Sequence, residues 1–374
     1  MLINTIKIKR KTPKIINNSI YLEINKILLN RHLFLTIEKI KYSMIINCPN
    51  SFSDLNKVWK VFCAGPIQGG PDWQNKMPNI ENIVWLSPRR PSYPVPDFNY
   101  TQQVQWETDA LRSSNIVLFW IPEPIENIPG RAYAQTTRFE LGENLARGKR
   151  IILGAYKEFP GRKYLEFKTQ KYENVIGGKV CSSLEECLDL LDEYINSRIP
   201  TTHFTSDTHF SSERALELSC RPFQNTEDMD WTMIERWCNK VNPGDTVWHL
   251  GDFGESWPLL YLSGTIKELS GNYENSGKCE PDLIRLGEYF EKPRTEIIAG
   301  DCYNLSHEPS IGKNMYEKNG YYSLFGHIHG RQKIKEFGID VGVDCNNFSP
   351  ISLDEIKFYI NALRKGYYDN DVFC

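Results

Sequence analysis

Residues 115–156, NIVLFWIPEPIENIPGRAYAQTTRFELGENLARGKRIILGAY, contain the strand–helix–strand pattern that decides the fold prediction. The apolar runs at residues 115–122 and 150–156 predict buried strands, and the segment at residues 135–149 predicts a helix between them. Strands that alternate with helices favour a mostly parallel sheet that is covered by helices on both faces. In such sheets, ligands bind at the carboxyl ends of the strands.

The same alternation extends from Val58 to about Asn196. The sequences VWKVFCAG and NIVWLSP predict further strands, and YTQQVQWETDALRSS and SSLEECLDLLDEYI predict helices. Ser182 or Ser183 is the expected N-cap of the last helix, because glutamates follow in its first turn.

A second α/β region follows the short polar joint NSRIPTT, and a chain of 374 residues is long enough for two domains. We therefore predict a first domain at residues 58–196, a linker at residues 197–201 and a second domain at residues 202–374. In the second region, TVWHLGDF, TEIIAG and YYSLFGHIHG predict strands, whereas DMDWTMIERWCNKV and PDLIRLGEYF predict helices.

The net charge of -3 is unevenly distributed, because residues 1–43 carry nine Lys or Arg and only two Asp or Glu. The remaining residues carry a net charge of -10, which argues against broad binding to a nucleic-acid backbone. Residues 1–57 are predicted to be a basic extension rich in Ile, Lys and Asn. That extension is either disordered or untranslated, with Met44 as an alternative start, and a presequence is the open alternative.

The ten cysteines include no C-x-x-C pair, which favours reduced thiols in a cytoplasmic protein over a zinc knuckle or a thioredoxin-like motif. No apolar run approaches the ~18 residues of a membrane span, so a soluble protein is expected.

Three short motifs in the second region carry metal-binding residue types. They are Asp207-Thr208-His209, Gly251-Asp252 and the stretch from Gly326 to Gly330, which contains His327 and His329. Two further residues complete the set: Asn272, which lies in LSGNYENSGK (residues 269–278), and His307. Carboxylates mixed with imidazoles suit Mn, Fe or Zn. Paired divalent ions are a common device for hydrolysing phosphate esters.

Along the chain, the motifs occur in the order D-x-H, G-D, G-N, a single His and G-H-x-H. In this order they resemble the motifs of the calcineurin-like metallophosphoesterase family over about residues 201–357. The resemblance implies an α/β sandwich of two sheets flanked by helices, with two divalent ions (Mn, Fe, Zn or Mg). It implies that Asp207, His209 and His329 hold one ion, that Asp252 bridges, and that Asn272, His307 and His327 hold the other. Tyr273 stands where the family has a catalytic histidine. Either its phenol contacts the substrate, or the tyrosine is a tolerated substitution.

In the first region, Glu140 is expected near the start of a helix, whose N-terminus favours an anion. It is either a carboxylate nucleophile or an ordinary first-turn glutamate. The sequences AGPIQGGPDWQ, LSPRRP, QVQWETDALRSSNIVLFWIP and TRFELG resemble the nucleoside 2-deoxyribosyltransferase-like family over about residues 58–195.

This second resemblance implies a Rossmann/flavodoxin-like parallel sheet with helices on both faces. It implies Glu140 as the nucleophile, Glu107 as the group that holds or protonates the base, and contacts to the substrate from six further residues: Gly65, Pro66, Asp72, Trp73, Arg89 and Arg90.

We therefore predict a bifunctional enzyme of nucleotide metabolism that cleaves or transfers at an N-glycosidic bond and hydrolyses a phosphate ester. The alternative is a nucleotide sensor with a weakened phosphoesterase. A small nucleoside, nucleotide or phosphate ester is the expected partner, and a homo-oligomer through the first domain is left open.

Overall fold

The computed structural model describes residues 44–91 and 98–366 of the chain. The predictions made for residues 1–43 lie outside the described residues. Within the described ranges, no helix has both the length and the apolar character that crossing a membrane requires.

The first sheet has six strands, and all of them are parallel. They are β1 (Met44–Asn47), β2 (Trp59–Ala64), β3 (Ile83–Ser87), β4 (Ile116–Ile121), β5 (Ile151–Ala155) and β6 (Val175–Cys181). Their order in the sheet is β1-β3-β2-β4-β5-β6, which is a doubly wound order with one added edge strand. The predicted parallel sheet is therefore confirmed. Successive strands are added to one side of β2 and then, from β4 onwards, to its other side, and such sheets bind ligands at this switch point between β2 and β4.

Four helices cover the two faces of this sheet: α1 (Tyr100–Ser113), α2 (Gln135–Ala146), α3 (Arg162–Thr169) and α4 (Leu184–Asn196). Phe62 of β2 packs in a core with Trp106 of α1 and Leu141 of α2. Its neighbour Cys63 packs in a separate core with Leu191 of α4. Because adjacent strand residues point to opposite faces, α4 lies on the face opposite to α1 and α2.

Two sequence predictions need correction. Strand β1 at Met44–Asn47 pairs with β3, so residues 44–57 are part of the folded structure rather than of an extension. The segment PDLIRLGEYF is not a helix: the Asp282 carboxylate accepts hydrogen bonds from the Ile284 and Arg285 amides in a turn, and a strand begins at Glu288. The single turn after Asp282 is not continued, because the Gly287 amide donates to the Ile266 carbonyl at 2.7 Å and the chain enters the sheet.

The second region contains two mixed sheets of five strands each. The second sheet has the order β10-β9-β8-β7-β16, with β7 (Thr202–Thr205), β8 (Thr246–His249), β9 (Thr265–Leu269), β10 (Glu288–Phe290) and β16 (Ile351–Ser352). The third sheet has the order β11-β12-β13-β15-β14, with β11 (Arg294–Ile298), β12 (Asp301–Leu305), β13 (Ser323–Phe325), β14 (Ile334–Lys335) and β15 (Gly338–Asp340). The helices here are α5 (Glu213–Leu218), α6 (Thr226–Lys240), α7 (Asn272–Asn275), α8 (Pro309–Asn319) and α9 (Leu353–Arg364).

Side chains from the second and third sheets share one apolar core. Phe204 and Trp248 of the second sheet pack in it with Leu305 and Leu324 of the third. The other face of the second sheet packs against α6, through a separate core that includes Trp237. Because β7, β8 and β9 are parallel, the loops that follow them all lie at the same edge of the second sheet, at the carboxyl ends of these strands.

Buried polar side chains connect the first sheet to the region of α6. The Asn115 side-chain amide donates to the Ser263 hydroxyl at 2.9 Å, and its carbonyl oxygen accepts from the Lys60 amide at 3.0 Å. The Lys60 ammonium, which is fully buried, donates to the Tyr261 carbonyl. The described residues, 44–91 and 98–366, belong to one compact unit, and the predicted domain boundary near residue 200 stays a prediction.

Candidate functional site

The seven residues predicted to bind metal all follow the carboxyl ends of strands. Asp207 and His209 follow β7, Asp252 follows β8, Asn272 follows β9, His307 follows β12, and His327 and His329 follow β13. Two groups have ligand atoms that all lie within 4.8 Å of one another; one is Asp207, His209 and His329, and the other is Asp207, Asp252 and His307. Because Asp207 belongs to both groups, the two clusters form one continuous centre.

Asn272 and His327 complete the second group. The Asn272 Oδ1 atom lies 2.9 Å from His307 Nε2 and 3.0 Å from His327 Nδ1, and these two nitrogens are 3.3 Å apart. His307 donates through Nδ1 to the Leu250 carbonyl at 2.8 Å, which leaves Nε2 as the atom that faces the cluster. The Asp252 Oδ2 atom lies 3.4 Å from His209 Nε2 and 3.6 Å from His307 Nε2. One carboxylate oxygen thus faces both groups.

The backbone at these positions adopts an uncommon conformation. The φ angles are 58° at Asp207, 48° at His209, 59° at Asp252, 74° at His327 and 49° at His329. A left-handed conformation costs a non-glycine residue about 1–2 kcal/mol. Residues held in this way concentrate at functional sites, where the surrounding structure imposes the conformation.

The side chains fit divalent cations. Among the described residues, Asp207 Oδ1 and His209 Nδ1 are buried atoms without a hydrogen-bond partner. Burial lowers the pKa of His209 to about 3, so its imidazole is neutral and able to bind a metal. Burial raises the pKa of Asp252 to about 6, although the nearby His307 opposes this shift. A divalent cation would compensate the buried carboxylates and use the unpartnered atoms, which is the donor chemistry that Mn, Fe or Zn prefers.

Glu274 and Tyr273 orient the loop that carries Asp252. The Glu274 carboxylate accepts hydrogen bonds from the amides of Asp252 at 3.0 Å, Phe253 at 3.0 Å and Gly271 at 2.8 Å. The Tyr273 amide donates to Asp252 Oδ1 at 2.9 Å. Burial alone would raise the pKa of Glu274, but bonds from the Cys279 thiol and these amides hold it below its usual range. Glu274 therefore acts on the backbone as an anion.

In the first region, Glu140 lies in the second turn of α2, because the helix begins at Gln135. The expectation of a carboxylate near the helix start is therefore wrong, and the free amides of the first turn do not hold it. Burial raises the pKa of Glu140 to about 8, with further contributions from the negative charges of Glu107 and Glu143. The Glu107 charge thus acts on the ionisation of Glu140, as expected if the two carboxyl groups serve one site.

Glu107 belongs to a chain of polar contacts that starts at Arg90. The Arg90 guanidinium and the Cys48 thiol both donate to the Gln103 carbonyl oxygen, at 2.9 Å and 3.2 Å. The Gln103 amide donates to Glu107 Oε1 at 2.8 Å. Burial raises the pKa of Glu107, and the bond from Gln103 opposes this. Gln103 and Cys48 are members of this site that the sequence analysis missed, since nothing in their local pattern distinguishes them.

Arg89 and Asp72 stabilise the loop after β2. Arg89 Nε lies 3.2 Å from Asp72 Oδ1, and the guanidinium also donates to the carbonyls of Ile67 at 2.8 Å and Pro71 at 3.3 Å. These contacts occupy the guanidinium with the protein itself. A direct role for Arg89 in substrate binding stays a prediction.

Gly65, Pro66 and Trp73 pack closely at the same end of the sheet. A Cβ atom at Gly65 would lie 2.4 Å from the Trp120 carbonyl oxygen and 2.8 Å from a ring carbon of Trp73. Trp73 is only 5% exposed, and Pro66 is buried too. Glycine is therefore required at position 65 by the packing of the two tryptophans.

Residues 58–158 match the sequence model of the family described as nucleoside 2-deoxyribosyltransferase like. A domain of this class is therefore found in the first region, as its motifs predicted. The match includes neither β1 nor the second and third sheets, so the metallophosphoesterase resemblance of residues 201–357 stays a prediction.

Two proteins are similar to part of the chain. The uncharacterized protein MJ1445 of Methanocaldococcus jannaschii is 29% identical over 179 residues, which cover 44% of this chain and 92% of that protein. The Gene 66 protein of Mycobacterium phage D29 is 24% identical over 205 residues, which cover 44% of this chain and 97% of that protein. A crystal structure of AQ665 from Aquifex aeolicus, a protein of unknown function, superimposes with a TM-score of 0.36 at 22% identity, covering 43% of this chain and all of that one.

Proposed function

We propose that residues 202–366 hydrolyse a phosphate ester with the help of two divalent cations. The observation that carries this proposal is the pair of ligand clusters joined through Asp207. Asp207, His209 and His329 would hold one cation, Asn272, His307 and His327 the other, and Asp252 would face both. When bound, such a pair polarises the phosphoryl group and supplies a nucleophilic water at neutral pH.

The chain's own residues prepare the site for this chemistry. Glu274 holds the Asp252 backbone amide, the Tyr273 amide holds Asp252 Oδ1, and the Leu250 carbonyl fixes the His307 ring. Tyr273 occupies the position at which a histidine is expected, so a strong general acid is missing there. Proton transfer of this kind contributes about 10²- to 10⁴-fold to a rate. We therefore propose slow hydrolysis, limited by the departure of the leaving group.

A second activity, cleavage or transfer at the N-glycosidic bond of a nucleoside or nucleotide, is proposed for the first region. Two buried carboxyl groups with raised pKa values, Glu107 and Glu140, in a nucleoside 2-deoxyribosyltransferase-like domain favour it. The ionised form of Glu140, which is the minor form below a pH of about 8, would form a bond to the anomeric carbon while the bond from that carbon to the base nitrogen breaks. The electron pair of the broken bond leaves with the base, which takes a proton from Glu107. Water or a second base then attacks the anomeric carbon and gives a proton to the Glu107 carboxylate, while the bond from that carbon to Glu140 breaks.

The experiment compares both reactions in the same set of variants. Wild type, Asp252→Asn, Glu140→Ala and the control Asp282→Asn, which alters an ion pair with Arg285, are assayed with Mn²⁺ on bis-p-nitrophenyl phosphate and on a panel of deoxynucleosides. We expect Asp252→Asn to lose at least about 10²-fold in ester hydrolysis and to keep base release. We expect the reverse for Glu140→Ala.

Two outcomes would contradict the proposal. Base release that survives Glu140→Ala would refute the covalent step. An absence of turnover on either substrate, together with binding of Mn²⁺ and a nucleotide, would favour the alternative of a nucleotide sensor with an inactive phosphoesterase.

A further inference from the structure

Arg221 and Asp344 form a buried ion pair beside the metal cluster. Arg221 Nε lies 2.9 Å from Asp344 Oδ1, and Arg221 Nη2 lies 2.9 Å from Asp344 Oδ2. The Arg221 side chain is 0% exposed and the Asp344 side chain is 7% exposed. Two parallel bonds of this kind define the orientation of both planar groups, as well as contributing binding energy.

The same guanidinium holds the backbone of the first ligand loop. Arg221 Nη2 donates to the Asp207 carbonyl at 2.6 Å, and Nη1 donates to the Thr208 carbonyl at 2.8 Å. Asp207 has a left-handed backbone with a φ of 58°. Arg221 thus ties the strained peptide groups next to one ligand to the carboxylate of Asp344.

Asp344 in turn contacts a second ligand. Its Oδ2 atom lies 2.9 Å from His329 Nδ1, so a proton on Nδ1 is donated to the carboxylate and Nε2 is left to face the cluster. The His329 ring stacks on the His209 ring, with centroids 5.2 Å apart and planes at 18°. The contact with Asp344 therefore selects both the tautomer and the ring orientation that a metal ligand needs.

We propose that Arg221 and Asp344 are positioning residues that hold His329 and the Asp207 loop in the geometry required to bind the first cation. This inference rests on the metal site of the proposed function and extends it to two residues outside the ligand set. The charge on Asp344 makes the His329 imidazole a stronger electron donor, while Arg221 prevents the carboxylate from rotating away. Lysine could not make the same contacts, because it lacks the planar fork.

The test measures Mn²⁺ binding by calorimetry to the full chain, after metal removal, in wild type, Asp344→Asn and Arg221→Lys. We expect wild type to bind two ions, and Asp344→Asn to bind one of them about 10- to 100-fold more weakly while the other is little changed. Arg221→Lys should weaken the same ion by a smaller factor. The control is Asp282→Asn, which removes a carboxylate paired with Arg285, far from Asp344 in the sequence. It should bind Mn²⁺ as wild type does.

A double-mutant cycle separates positioning from a general structural role. If Asp344 acts through His329, then Asp344→Asn should not change the remaining Mn²⁺ affinity in a His329→Ala background. Equal losses of affinity in both backgrounds would overturn the proposal, as would unchanged binding in both Asp344→Asn and Arg221→Lys. If wild type bound no Mn²⁺, the proposed phosphoesterase itself would fall and the positioning role with it. Should Asp344→Asn not fold without metal, Arg221→Lys, which keeps the charge, decides the question by the same measurement.

Discussion

The ring of Tyr273 packs edge to face against the imidazole of His209, with ring centroids 4.6 Å apart and planes at 72°. The ammonium of Lys278 lies 4.8 Å from the centre of the same tyrosine ring, on the exposed side of the loop. Tyr273 is therefore held next to a predicted metal ligand from one side and next to a cation from the other. It is well placed to affect the substrate without being a ligand.

Tyr273→His is expected to raise ester hydrolysis by about tenfold or more, because an imidazole can protonate a leaving group near neutral pH and a phenol is a reluctant donor. Metal content, measured by elemental analysis, should stay the same, since the Tyr273 backbone amide still bonds to Asp252. Tyr273→Phe is the matched control for the hydroxyl group. An unchanged or lower rate in Tyr273→His would mean that the tyrosine has a function of its own.

Glu140→Gln should stabilise the folded protein, but only above the pH at which the Glu140 carboxyl ionises in the unfolded chain. The pKa of Glu140 is raised to about 8 from an ordinary value of 4.5, so ionisation costs the folded state free energy as the pH rises between these values. In thermal unfolding, wild type and Glu140→Gln should have equal melting temperatures at pH 4. At pH 8.5, the unfolding free energy of Glu140→Gln should exceed that of wild type by ~1–3 kcal/mol. The exposed Glu173, changed to Gln, is the control. A gain of the same size at pH 4 would show that the effect is not electrostatic.

Gly251→Ala is expected to abolish metal binding. Gly251 has a φ of 95°, and a Cβ atom there would lie 2.5 Å from Gly271 Cα and 2.9 Å from His307 Nδ1. Strain and overlap together should cost about 2–4 kcal/mol of unfolding free energy. Gly277→Ala is the matched control, because its φ is 69° and nothing lies within 4 Å of its Cβ position. Retained Mn²⁺ binding in Gly251→Ala would contradict the assignment of His307 as a ligand.

Asn115→Ala should destabilise the contact between the first sheet and the α6 region. It leaves the Ser263 hydroxyl and the Lys60 amide without their buried partner, at a cost of about 1–3 kcal/mol. Urea unfolding, followed by tryptophan fluorescence, should show a lower midpoint. In the control Asn174→Ala, the lost bonds to the Lys149 and Leu145 carbonyls stay within the first region. If urea unfolding became a two-step transition to the same extent in both variants, the Asn115 contact would not be what couples the first sheet to the α6 region.

The parallel sheet was predictable because its strands are short and apolar and alternate with helical segments. The sequence predicted Ser182 or Ser183 as the N-cap of the helix at residues 184–196, and the structure selects Ser183, whose side chain accepts from the Glu186 amide at 3.2 Å. Strand β1 at Met44–Asn47 was missed, because four residues give too little pattern and only pairing with β3 stabilises them. In PDLIRLGEYF, apolar spacing suggested a helix where the bonds of Asp282 make a turn.

The sequence alone determined which residue types could bind metal, because the D-x-H, G-D and G-H-x-H motifs are local and their order is readable. Only the tertiary structure decided that they meet. The His327 amide donates to Asp207 at 2.9 Å across 120 positions, and Arg221 reaches Asp344 across 123. The raised pKa of Glu140 likewise depends on burial and on Glu107, which lies on another helix. Such long-range contacts follow from how the sheets and helices pack, and no local pattern encodes them.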